Sequence, residues 1–234
     1  MTDLQKIQDL YDRNLFLQAY RQSAAYWSPS IDLKCLSPNE LVLGGRLAAR
    51  LGGSRLSRWL FREAYRRDPS NLILRFYTHW NRRRGWHLID ALRAFEENPD
   101  LGGDDPKLQA GWLASHAVTW AGLRDFARAG ECLDRAWALV EQDSWVWICE
   151  SDVLRLEDRW QDALKSAERA GEIDPSAPYV LSSLCSALAA LHRLEEAAER
   201  ATLAAEEGES YEVARLAISY MCEMAETLDR GERF

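Results

Sequence analysis

The side chains that most often carry catalysis are scattered along this sequence. Four histidines lie at positions 79, 87, 116 and 192, and none has a cysteine or carboxylate at the spacing of metal ligands. His192 follows Cys185 by seven residues, but the two belong to a helix and its turn. The motifs of zinc peptidases, serine hydrolases and nucleotide-binding loops are absent. We therefore expect no catalytic residue, no metal and no cofactor, and predict a protein that is not an enzyme.

A repeat of 34 residues organises most of the sequence. Its clearest copies run from Ser144 to Ala177 and from Pro178 to Tyr211. In both copies small residues occupy places 8, 20 and 27, and larger apolar residues occupy places 4, 11 and 17. A period of this length, with small and large apolar residues at fixed places, is typical of stacked helix-turn-helix units. Such stacks expose a long curved surface, which favours binding over chemistry.

Three further copies precede these two and begin at Pro38, Leu72 and Ala110. Pro99 cuts the second helix of the middle copy short, and we expect an irregular loop from there to Pro106. We predict about twelve helices and no strands, divided into an N-terminal helical segment or degenerate repeat (1–36), five repeats (37–211) and a terminal helix of a truncated repeat (212–234). The first segment is either one helix or two short helices with a turn near Asn14.

These residues resemble the tetratricopeptide repeat (TPR) family from about Ser37 to the C-terminus. Trp147, Ala163 and Pro175 match the signature of that family closely. The resemblance implies an all-α fold, a right-handed α-α superhelix in which helical hairpins stack side by side. It also implies a protein-protein interaction scaffold that binds a peptide or a partner domain on its concave face.

The family's register then places candidate partner-binding residues on the first helix of each pair. Transferred to this sequence, it gives Arg46, Arg50, Phe76, Tyr77, Trp80, Arg83, Arg84, Trp145, Arg155 and Tyr179. Guanidinium groups bind carboxylates in a two-pronged way and aromatic rings offer flat apolar surface, so an acidic or C-terminal peptide segment suits this set. The family's carboxylate clamp for chaperone tails is missing its Lys and Asn residues, which argues against that ligand. Residues 81–85 also fit a helix C-terminus, where positive charge interacts favourably with the helix dipole.

Charge is distributed unevenly along the chain. The net charge is −8, but residues 1–107 hold 17 Lys and Arg against 13 Asp and Glu, and residues 108–234 hold 12 against 24. This balance disfavours nucleic acid and directs an acidic partner to the N-terminal half, unless the charges only solvate exposed helix faces. No apolar run is long enough to span a bilayer and the N-terminus lacks a signal-peptide core, so we expect a cytoplasmic protein without a membrane partner. We expect the cysteines at 132, 149, 185 and 222 to be reduced and mostly buried.

In a second hypothesis the chain is again a binding region, but it belongs to a larger enzyme. Residues 10–20, 43–53 and 145–170 are similar to N-terminal repeat regions of large bacterial proteins, some of which carry a papain-like peptidase domain further along. The resemblance implies a non-catalytic regulatory or substrate-recognition region. The sequence predicts turns between paired helices at 123–126, 156–160 and 191–194, and the last residues, 228–234, resemble the same turn. We therefore predict that the C-terminal end docks further repeats, a following domain or a second copy of the chain.

Overall fold

The computed structural model describes residues 3–23, 35–84, 88–207 and 211–229. These residues contain thirteen helices and no strand. The helices are α1 (Asp3–Asp12), α2 (Phe16–Ser23), α3 (Pro38–Arg50), α4 (Ser54–Arg67), α5 (Leu72–Arg84), α6 (Leu88–Glu97), α7 (Pro106–Gly122), α8 (Phe126–Trp137), α9 (Ser144–Leu156), α10 (Trp160–Ile173), α11 (Pro178–Ala190), α12 (Leu194–Glu207) and α13 (Tyr211–Asp229). The all-α prediction is confirmed. The count exceeds twelve because the first segment contains two helices. Within these residues, no helix combines the length and apolar character that crossing a bilayer requires.

One turn conformation recurs between paired helices. Asn14, Arg124, Asp158 and His192 each adopt a left-handed backbone conformation, with φ between 59° and 66°, and Gly52 holds the same place between α3 and α4. In these turns the left-handed residue reverses the chain within three residues of the first helix's end, so that the second helix can return along the first. The turns predicted at 123–126, 156–160 and 191–194 are thus confirmed.

The starts of several helices are set by side chains that cap them. The Ser37 hydroxyl accepts a hydrogen bond from the Glu40 amide at 3.3 Å, and the Glu40 carboxylate accepts one from the Ser37 amide at 2.7 Å. Asp105, Asp125 and Asp143 cap α7, α8 and α9 in the same general way. Each such cap contributes roughly 1 kcal/mol to stability.

The helices form two layers. The first helices of successive pairs contact one another from α5 through α7, α9 and α11 to α13, and the second helices pack outside them. Fully buried alanines, such as Ala163, Ala170 and Ala197, lie where two helices pack together. In the last two pairs these occupy the small-residue places of the repeat, so the sequence pattern and the packing agree. Cys132, Cys149 and Cys185 are buried as expected.

Two details differ from the expectation. Cys222 is exposed, because no described element covers its side of α13. The loop between α6 and α7 is irregular as predicted, yet it is firmly packed: Leu101 is buried against Phe95 and Trp112, and its amide donates to Gln109 Oε1 at 2.8 Å.

The superhelix is wound tightly enough for distant turns to meet. Asn14, in the turn between α1 and α2, donates from Nδ2 to the backbone oxygen and the hydroxyl of Ser176 at 3.3 and 3.2 Å, across 162 residues of sequence. The ring of Tyr211, at the start of α13, lies against Gly52, where a Cβ atom would come within 2.8 Å of it. We call these two contacts the closure; they bring the first hairpins against the last ones.

Candidate functional site

A cavity of about 450 Å³ lies on the inner face of the superhelix. Six first helices contribute to it: α1, α3, α5, α7, α9 and α11. The residues that line it are Tyr11, Arg46, Ala49, Arg50, Phe61, Phe76, Tyr77, Asp105, Lys107, Leu108, Gly111, Asp143, Trp145 and Tyr179. We refer to this cavity as the inner pocket. Its size and mixed aromatic and charged lining are those of a ligand site.

The structure brings together six of the ten residues that the sequence predicts for this surface. Arg46, Arg50, Phe76, Tyr77, Trp145 and Tyr179 all line the inner pocket. Arg155 does not line it, and instead pairs with Asp152 at 2.8 Å, one turn away on α9. The side chains of Trp80, Arg83 and Arg84 lie outside the described part of the structure. A role of these residues in partner binding stays a prediction.

Two arginines and a tyrosine form one end of the inner pocket. The Arg46 guanidinium carbon lies 4.4 Å from the centre of the Tyr11 ring and 5.8 Å from that of Tyr77. Both distances permit cation-π attraction. One turn further along α3, Arg50 Nε donates to the Tyr11 hydroxyl at 3.4 Å. This end of the pocket therefore presents positive charge held between aromatic rings.

Aromatic rings continue from that end along the wall of the pocket. Tyr77 stacks on Phe61 with ring centres 5.1 Å apart and meets Phe76 edge-on at 5.8 Å. Phe76 is 6.4 Å from Trp145, which is 5.4 Å from Tyr179. All are within the range of favourable aromatic contacts. We call Tyr77, Phe76, Trp145 and Tyr179 the aromatic row; it joins α5, α9 and α11.

Gly111 explains how the aromatic row can cross α7. A Cβ atom at this position would lie 3.3 Å from Trp145 Cδ1 and 3.5 Å from Phe76 Cε2. A larger side chain there would push the two rings apart, so the absence of a side chain keeps the row continuous.

The other end of the pocket is polar, and its groups are mutually satisfied. Asp143 is buried and caps α9 by accepting from the amides of Trp145 and Val146, and its second oxygen pairs with Lys107 Nζ at 3.4 Å. The Tyr179 hydroxyl lies 2.9 Å from that of Ser144. Burial raises the pKa of Tyr179 to about 12, so its phenol is neutral at neutral pH.

The chemistry of the lining supports binding. None of the described residues that line the pocket is a His, Cys, Ser or Thr, and the buried carboxylate of Asp143 is committed to a cap and an ion pair. Its groups can attract an anion, stack on a flat side chain and exclude water.

Sequence reasoning missed Tyr11, Lys107, Leu108 and Gly111. Tyr11 precedes the first copy with a clear register, so the repeat gave it no place. Lys107 and Leu108 lie in the first turn of α7, which begins four residues ahead of the copy at Ala110, and Gly111 is the second residue of that copy. The Asp105-Pro106 start signal could have located them, since it marks the first turn of α7.

The architecture of this chain is similar to that of several solved structures. TTC0263, a thermophilic TPR protein of Thermus thermophilus, superposes with a TM-score of 0.61 at 16% identity, over 81% of this chain and 100% of that one. The type IV pilus biogenesis factor PilW gives 0.55 at 15% identity, over 92% and 96% of the two chains. A TPR protein of Parabacteroides merdae ATCC 43184 gives 0.53 at 12% identity, over 96% and 86%.

The chain therefore has the TPR fold, an all-α superhelix of stacked helical hairpins. No protein-family model matches the sequence, and no curated protein matches it either. At these identities the likeness defines the fold alone.

Proposed function

We propose that this protein is a protein-interaction scaffold that binds a polypeptide segment in its inner pocket. The observation that carries the proposal is the aromatic row, which runs unbroken from Tyr77 to Tyr179 along the wall of a cavity of about 450 Å³. Aromatic side chains in a concave site supply most of the binding energy of many protein interfaces. The TPR fold of the chain supports the same function, since stacked hairpins expose a concave surface for partners.

Electrostatics favour an acidic partner. Arg46, Arg50 and Lys107 line the pocket together with Asp105 and Asp143. Both acids already cap helices, and Asp143 also pairs with Lys107, so the charge left for a partner is that of the arginine end. The N-terminal half of the chain carries the same positive bias, with 17 basic against 13 acidic residues up to position 107.

The proposed partner surface differs from the set predicted from the sequence at two residues. Its centre comprises the six residues that line the inner pocket, and Tyr11 joins them. Trp80, Arg83 and Arg84, towards the end of α5, stay in the proposal as an extension of the basic end. Arg155 is left out because its charge is used by Asp152. A place for the chain within a larger enzyme, and docking at α13, stay predictions.

The proposal can be tested by recovering partners from the source organism's extract with immobilised protein. A Trp145→Ala, Tyr179→Ala variant should recover any specific partner at least about tenfold less well, because hot-spot aromatics contribute roughly 2 kcal/mol or more each. The matched control is Trp59→Ala, which removes an exposed tryptophan on α4, outside the pocket. Equal recovery by all three proteins, with unchanged helical content, would refute the proposal.

A further inference from the structure

Arg46 lacks the carboxylate partner that many arginines of this chain have. Arg67 pairs with Glu63 at 2.8 Å, and Arg193 pairs with Glu196 at 2.6 Å. On the first helices, Arg155 pairs with Asp152. Arg46 has no carboxylate within salt-bridge distance among the described residues, and its close neighbours are the rings of Tyr11 and Tyr77.

The environment of Arg46 is costly for a cation. The side chain is half-buried, and its Nε is shut off from water without a hydrogen-bond partner. Burying a charge and leaving a donor unsatisfied both cost free energy, and contact with tyrosine rings offsets that cost in part. A guanidinium kept under these conditions at the wall of a cavity is a functional-site candidate.

The geometry fits one class of ligand group. Because Nε is enclosed, a ligand meets the terminal nitrogens of Arg46, which lines the pocket. The two tyrosine rings restrict the guanidinium, so little side-chain entropy remains to be lost on binding. The aromatic row begins at Tyr77, beside this group, and offers a surface for an apolar side chain next to the charge.

We propose that Arg46 is a carboxylate-binding subsite of the inner pocket, which receives an acidic group directly beside an aromatic or aliphatic side chain of the bound peptide. This rests on the proposed function, because it assumes that a peptide occupies the pocket. The carboxylate comes from an Asp or Glu side chain or from the peptide's C-terminus. Both sources present the same planar group to Arg46.

Three dipeptides that differ in one charge test the subsite. N-acetyl-Gln-Phe amide is neutral, N-acetyl-Glu-Phe amide carries a side-chain carboxylate, and N-acetyl-Gln-Phe acid carries a terminal one. Binding is measured by NMR titration of the arginine Nε–H and tryptophan indole signals. We expect at least one charged dipeptide to bind about tenfold more tightly than the neutral one, since a hydrogen bond to a charged group contributes that much. Which one binds more tightly identifies the source.

Three variants test whether Arg46 causes the tighter binding of the charged dipeptides. Arg46→Gln should abolish the tenfold difference, Arg46→Lys should keep part of it, and Arg58→Gln, which removes an exposed arginine on α4, should leave it unchanged. If Arg46 only packs between tyrosines, Arg46→Gln will lower the melting temperature but keep the charge preference, and the inference fails. It also fails if all three dipeptides bind equally or none binds at about 10 mM, a very weak affinity.

Failure of the subsite is distinguishable from failure of the scaffold. If the charge makes no difference but Trp145→Ala weakens all three dipeptides alike, the pocket binds peptides without an Arg46 subsite. If charged dipeptides show the Arg46-dependent preference while partner recovery is insensitive to Trp145→Ala, Tyr179→Ala, the subsite stands and the aromatic row is not the main contact.

Discussion

The helices from α7 to α12 are built differently from those that precede them. In the later half, alanines such as Ala167 and Ala201 are fully buried where helices touch, and surface arginines pair with acids one turn away. In the earlier half Ala64 and Ala91 are buried in the same way, but α3 and α4 also meet at Gly45, where a Cβ would lie 3.2 Å from the ring of Phe61. Phe61 holds the place of the repeat that Ala167 and Ala201 hold in the last two copies.

The two halves also contribute differently to the inner pocket. Both of its arginines, Arg46 and Arg50, lie on α3, and four of its six aromatic rings lie on α1, α4 and α5. The later half contributes Lys107 and the rings of Trp145 and Tyr179. The comparison indicates that the earlier half supplies the arginine end and most of the rings of the inner pocket, whereas the later half follows the repeat more regularly.

The largest effect is expected where the two halves join. Trp112 is fully buried, its ring centre lies 4.5 Å from that of Phe95, and its Nε1 donates to the Asn98 carbonyl at 3.1 Å. Trp112→Ala should lower the free energy of unfolding by about 3–5 kcal/mol, because it leaves a cavity between α6 and α7. Urea unfolding measures this, with Trp59→Ala as the exposed control. A loss below about 1 kcal/mol would show that the halves are joined elsewhere.

A smaller effect, with a pH signature, is expected at His116 on α7. Its ring stacks on Phe95 at 4.6 Å and both its nitrogens are buried without a hydrogen-bond partner. Burial, and secondarily the charge of Arg135, lower the pKa of His116 to about 4. The unfolded chain binds a proton at this histidine near pH 6.5, whereas the folded protein binds it only near pH 4. The free energy of unfolding is therefore at its full value above pH 6.5 and decreases as the pH falls from 6.5 towards 4.

The wild type should therefore lose up to about 2 kcal/mol of stability between pH 6.5 and pH 5 through this group. His116→Phe should remove that part of the pH dependence and raise stability at neutral pH by about 1–3 kcal/mol, since no ring nitrogen stays unsatisfied. Urea unfolding at the two pH values measures both effects, with exposed His192→Gln as the control. Equal pH slopes in His116→Phe and wild type would place the pH sensitivity elsewhere.

An intermediate-to-small effect is expected at the cap of α3, the helix that carries Arg46 and Arg50. Ser37→Ala removes the two hydrogen bonds that the Ser37 hydroxyl makes with Glu40. It should lower the free energy of unfolding by about 1 kcal/mol. Ser37→Asp keeps an acceptor and should restore most of it. Thermal unfolding followed by circular dichroism resolves this difference; identical melting temperatures for Ala and Asp would contradict the role of the cap.

The smallest effect is expected in the regular half, at its surface ion pairs. Arg159 pairs with Asp162 at 3.0 Å and Glu157 at 3.2 Å, and all three side chains are in contact with solvent. Solvent and salt screen such pairs, so Arg159→Gln should leave the urea midpoint unchanged. A clear drop would mean that charge networks help to hold the later hairpins together, and would weaken the contrast between the halves.

The parts of the fold that repeat could be predicted from the sequence, because the period places each residue on a face. This is why the sequence predicts Arg124, Asp158 and His192 in turns, and Arg46 and Trp145, 99 residues apart, on one surface. Tyr11 was missed because the 34-residue repeat has no clear copy over α1. Leu101 was missed because a loop residue becomes a core residue only through tertiary packing.

The closure could not be predicted either, because it depends on the small rotation between neighbouring hairpins summed over the whole chain. No local pattern around Asn14 or Ser176 signals that they meet. Sequence reasoning therefore found much of the lining of the inner pocket but not the fact that its first and last walls come together.

That closure changes which parts of the molecule can open independently. In a stack whose hairpins touch only their neighbours, the terminal hairpins fray first and exchange their amide hydrogens fastest. Here the turn at Asn14 is bonded to Ser176, and Gly52 is covered by Tyr211. Fraying at one terminus therefore removes contacts from the other, and hydrogen exchange in α1 and α2 should speed up when Tyr211 or Ser176 is replaced.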